Sequence, residues 1–83
     1  MNRELALRLF RIYQLEKQYQ RPVFPEDLRA HAGMSQKEIK STIEELLKNC
    51  SIKEMSERGA NVYTVSNIGI AHLQSYLDLK REM

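Results

Sequence analysis

The chain has 83 residues, 42% of them hydrophobic and 29% charged, with a net charge of +2. That makeup suits one soluble globular domain: it is too short for two domains and too apolar for disorder throughout. A lone cysteine, Cys50, excludes an internal disulfide, no apolar run approaches the ~18 residues of a membrane-spanning helix, and no signal peptide is visible, so a reducing, cytoplasmic setting is expected.

The first predicted element is a helix over residues 2–19, with Asn2 as N-cap. Leu5, Leu9, Ile12 and Tyr19 share one face, Ala6, Phe10 and Tyr13 widen it, and Leu7 and Leu15 fall outside it. A face this broad predicts contact on more than one side. Residues 1–24 also hold most of the excess charge, with five basic groups (Arg3, Arg8, Arg11, Lys17, Arg21) against Glu4 and Glu16. Arg21-Pro22-Val23-Phe24-Pro25 breaks the helix, because a residue before proline is pushed to extended conformation, and Val23-Phe24 is expected as a very short strand. Pro25 then opens a second helix over 25–31, with Glu26 and Asp27 at its positive end and Leu28 and Ala32 facing inward.

Gly33 is expected to supply the left-handed residue that ends this helix. Ser35-Gln36-Lys37-Glu38 reads as a capping box, starting a third helix over 35–49. Ile39, Ile43, Leu46 and Leu47 form its apolar stripe, Asn49 is expected in a left-handed terminal position, and Cys50 is expected as a small core residue. Residues 51–65 read as a β-hairpin, with strands over 51–55 and 61–65 and a turn over 56–60 containing Gly59. Ser66 or Asn67 caps a fourth helix over 67–80. That helix has two apolar sides, one of Ile68, His72, Tyr76 and Leu79 and one of Ile70, Leu73 and Leu77.

Catalytic and metal chemistry find little support. His31, His72 and Cys50 lie far apart in sequence, Glu26/Asp27 and Glu44/Glu45 are adjacent pairs that point apart, and no glycine-rich phosphate loop occurs. No enzyme activity, cofactor, metal or small-molecule ligand is therefore expected.

A helix, a short glycine turn and a second helix form the sequence pattern of a helix-turn-helix, and a following hairpin sharpens it. Phe24-Pro25-Glu26-Asp27-Leu28, Gly33 through Ile39, Leu46 through Ile52, and Tyr63-Thr64-Val65-Ser66-Asn67-Ile68-Gly69 with Leu73 carry a resemblance to the winged-helix superfamily of DNA-binding domains. The resemblance spans roughly residues 5–79 and is closest to small bacterial, archaeal or phage-type regulators. The chain departs from them at Asn49-Cys50-Ser51, where glycine and a bulky aliphatic residue are common.

What the resemblance implies is a mainly α fold with a small hairpin: a three-helix core, a wing and an extra C-terminal helix. It also implies that the third helix enters the major groove, with Ser35, Gln36, Lys37, Lys40 and Ser41 at the end that reaches the bases. Arg58 at the wing tip and Lys53 on its strand are the candidate flanking phosphate contacts, beside the opposing charges of Glu54 and Glu57. The expected function is sequence-specific binding of double-stranded DNA by a transcriptional regulator, dimeric through the first and fourth helices, since small domains gain burial by pairing. The alternative is a winged-helix protein–protein interaction module within a larger assembly.

Overall fold

A computed structural model of the chain describes residues 1–77. Its elements are α1 (Arg3–Tyr19), α2 (Pro25–His31), α3 (Gln36–Lys48), β1 (Ile52–Glu57), β2 (Ala60–Val65) and α4 (Asn67–Leu77). Residues 78–80 of the expected fourth helix, Leu79 among them, lie outside the described residues.

Each long helix starts where a side chain satisfies free backbone N–H groups. The Asn2 side chain accepts from the Leu5 N–H at 2.7 Å. Ser35 and Glu38 form the reciprocal box, with the Glu38 N–H donating to Ser35 Oγ at 3.1 Å and the Ser35 N–H to Glu38 Oε1 at 2.9 Å. Ser66 Oγ accepts from the Gly69 N–H at 2.9 Å and so caps α4. At α2, Pro25 stands in the first turn and the Asp27 carboxylate takes the Phe24 N–H at 2.8 Å.

The end of α3 differs from expectation. Asn49 has φ −94°, and Cys50 takes the left-handed position at φ +64°. The Cys50 N–H reaches the Leu47 carbonyl at 3.1 Å and the Ser51 N–H the Leu46 carbonyl at 2.9 Å, the paired bonds of a Schellman motif. This backbone turns the Cys50 side chain outward, so the thiol is exposed rather than a core residue.

β1 and β2 pair antiparallel from Ile52↔Val65 to Glu57↔Ala60. The turn is shorter than expected, only Arg58-Gly59, with φ +53° and +82°. Two positive φ values in a two-residue loop match the right-handed twist of the strands it joins. On the other side of β2, Val23 makes the expected short bridge: its N–H and carbonyl exchange bonds with Tyr63 at 2.8 and 2.9 Å.

The core gathers Leu9, Ile12 and Leu15 of α1, Leu28 of α2, Leu46 of α3 and Leu73 of α4, all fully buried, with Val23 and with Ile52 and Tyr63 of the hairpin. Leu15 lay outside the predicted stripe. It is buried because α1 packs against β2 and α4 as well as α3. Glu16 secures that packing: its carboxylate accepts from the Val65 N–H at 3.0 Å and from the Thr64 hydroxyl. Leu7 remains 48% exposed. Among the described residues, no helix is long and apolar enough to cross a membrane.

Candidate nucleic-acid interface

Three of the five N-terminal cations, Arg8, Arg11 and Arg21, are committed to structure. Arg8 donates to Thr42 Oγ1 at 2.9 Å and to Glu38 at 3.1 Å, joining α1 to α3. Thr42, absent from the predicted apolar stripe, is buried at that joint. Arg11 donates to the His31 carbonyl at 2.6 Å, at the end of α2 where carbonyls lack helical partners. Arg21 holds both oxygens of Asp27 at 2.9 and 3.2 Å, between the rings of Tyr19 and Phe24. The Asp27 carboxyl lies below its usual range, chiefly through the hydrogen bond from Arg21. Three arginines that read in sequence as a basic face therefore brace the α1–α2–α3 unit.

α3 presents the other side of the charge distribution. Ile39, Thr42, Ile43 and Leu46 turn inward, and Gln36, Lys37, Lys40 and Ser41 are exposed. Spacings of three and four residues put Lys37 beside both Lys40 and Ser41, and Gln36 beside Lys40. Farther along, exposed Glu44 and Glu45 follow before Lys48, so positive character is confined to the N-terminal half. Among the described residues, Lys37, Lys40, Lys53 and Arg58 make no hydrogen bond or ion pair, and neither do Arg3, Lys17, Arg29 and Lys48, exposed cations outside the predicted site, of which Lys17 lies over the Tyr13 ring.

Ser35 stands apart from the other predicted contacts. Its hydroxyl already accepts the Glu38 N–H, and the Glu38 carboxylate lies against the start of the helix. The bonds from Ser35 hold the Glu38 carboxyl below its usual range, so it stays charged and repels an anion there. Only the N–H groups of Gln36 and Lys37 remain unoccupied at this end among the predicted positions.

Lys53 and Arg58 are exposed at opposite ends of β1. Lys53 is at the root, lining a groove with Leu47 and Cys50 after the end of α3. Arg58 is at the tip, about 17 Å farther along the strand. Glu54, exposed between them on β1, accepts from the Tyr63 hydroxyl at 2.8 Å. Burial and this bond push the Tyr63 phenol up to about 12.

Among the described residues no group of three or more metal-ligating side chains occurs. What the surface can do must be read from its own geometry, since no protein-family model, curated protein or solved structure matches the chain.

Proposed function

We propose that the chain is a winged-helix protein that binds duplex DNA and acts as a transcriptional regulator, with α3 as the groove-reading helix and the β1–β2 hairpin as its wing. The observation that carries this reading is the division of the cations. Arg8, Arg11 and Arg21 are tied into the fold, while Lys37, Lys40, Lys53 and Arg58 are exposed without partners among the described residues. Unpaired cations can exchange their hydration and counterions for phosphate without breaking an internal bond. Gln36 has the side chain that pairs with adenine, and Lys37 and Lys40 suit guanine or phosphate.

Arg58 adds a second support. It occupies a left-handed turn position where asparagine, aspartate or glycine is preferred, and such local strain concentrates at functional sites. One observation favours a second reading, a protein-interaction module: Glu44, Glu45 and Glu57 are exposed beside the candidate contacts.

The test is the affinity of a labelled random duplex at several salt concentrations, with Lys37→Ala/Lys40→Ala in parallel. Binding should weaken steeply with salt, and the double variant should flatten the log–log slope by about 0.9 for each phosphate contact it removes. Absence of binding at low salt overturns the DNA reading and leaves the interaction module.

A further inference from the structure

The two edges of the hairpin differ. On the β2 side, Tyr63 turns its N–H and carbonyl outward to Val23, and Val65 turns its N–H outward to Glu16. In an antiparallel ladder, residues that stand opposite each other point their backbone groups either both inward or both outward. Glu54 stands opposite Tyr63 and Ile52 opposite Val65. Glu54 therefore turns its N–H and carbonyl to the outer edge of β1, and so does Ser56 two residues on. Among the described residues, nothing pairs with these groups. Lys53 through Glu57 are all exposed, including the apolar Met55 at 42%.

We propose that the open edge of β1 pairs antiparallel with β1 of a second copy, about a two-fold axis at Met55, joining the two hairpins into one sheet in the order β2–β1–β1–β2. The order of charges along the strand identifies the occupant. Lys53 and Glu57 stand at equal spacing on either side of Met55 and share its face of the strand. The axis therefore sets Lys53 of each copy against Glu57 of the other, and Met55 against Met55. Backbone groups alone would accept any extended segment. The charges select one that reads Lys-x-x-x-Glu, which β1 itself supplies.

The same register uses the outward backbone groups. Glu54 of each copy stands opposite Ser56 of the other, and each such pair exchanges two N–H···O=C bonds. Lys53, Met55 and Glu57 then occupy the non-hydrogen-bonded sites, where opposite Cα atoms stand only about 4.5 Å apart and side chains meet most closely. An axis at Lys53 or Glu54 would set like charges together, and one at Ser56 would leave only the end of the strand in the overlap. The inference stands whether or not α3 binds DNA, and a paired Lys53 is withdrawn from phosphate.

The test is sedimentation of the full chain, without DNA, from micromolar to near-millimolar concentration, with folding followed by circular dichroism. Wild type should form a dimer. Lys53→Glu alone and Glu57→Lys alone should each weaken it about tenfold or more, because like charges then meet on both sides of the axis. Mixing these two variants should restore association, since every 53–57 contact between the unlike chains is again of opposite sign. Ser56→Pro removes an outward N–H without touching the bonds to β2 and should also disrupt the dimer. The charge variants lie on the exposed face, so they carry the test even where the proline disturbs the hairpin. A wild type that stays monomeric throughout, or a dimer indifferent to all these changes, overturns the proposal. Failure of the mixture to associate when each single variant has lost its dimer overturns the register about Met55.

Discussion

Cys50 holds a backbone conformation in which its Cβ crowds the following carbonyl, a penalty of about 1–2 kcal/mol for most residues. Its exposed thiol offers little in return. Cys50→Gly removes the crowding but gives the unfolded chain about 0.4–1 kcal/mol of extra freedom. The net expectation is a gain of about 0.5–1 kcal/mol, read as a rise of several degrees in Tm. A Tm at or below that of wild type contradicts this account. Arg58 sits in a comparable conformation but has a proposed task. Arg58→Asn should also raise Tm, since asparagine is favoured in such a turn, while weakening duplex binding. If Tm rises and affinity is unchanged, Arg58 is a turn residue and nothing more.

At the level of elements, the start of α4 is held by one close approach. A Cβ on Gly69 would lie 2.1 Å from the Ser51 carbonyl oxygen and 2.8 Å from Val65 Cγ1. That carbonyl cannot easily retreat, because it accepts from the Ser66 N–H at 2.9 Å and from the Ser66 hydroxyl at 3.0 Å. Gly69→Ala should therefore destabilise by about 1–3 kcal/mol, measured by denaturant unfolding. A loss well below 1 kcal/mol would mean that α4 shifts freely on the hairpin. The helices themselves were legible in sequence, because Asn2, Ser35 with Glu38, and Ser66 cap them locally and the apolar spacing is helical. The burial of Leu15 was not legible, since it depends on a strand some 48 residues away that Glu16 grips. The candidate site was half legible. The exposed face of α3 follows from its stripe, whereas the engagement of Arg8, Arg11 and Arg21 depends on where α2 and α3 pack.

At the scale of the whole molecule, the perturbed groups predict stability lost toward both pH extremes. Asp27 and Glu38 titrate below their usual range when folded, so the unfolded chain binds protons more readily in acid. The stability they contribute is complete above the ordinary carboxylate pKa of about 4 and is lost as pH falls through their lower folded values. Tyr63 acts in the opposite direction. Its phenol rises from 10.0 to about 12 on folding, so its contribution is complete below pH 10.0 and is lost between there and about 12. Tm measured against pH should show both declines, and Tyr63→Phe should flatten only the alkaline one. An identical alkaline slope in that variant would assign the loss to other groups.

The grip of Glu16 on Thr64 and Val65, and the packing of α1 on α4, also bear on how the protein is made. The ribosome delivers α1 before β2 and α4, its partners. A nascent chain ending at Val65 would leave Leu73 missing from the core and the inner side of α1 uncovered. Such a fragment should be cut rapidly by protease and show little cooperative unfolding, while the full chain resists. A fragment 1–65 that unfolds cooperatively would contradict this order. Folding of this domain during synthesis thus waits for α4, the element that closes the core over α1.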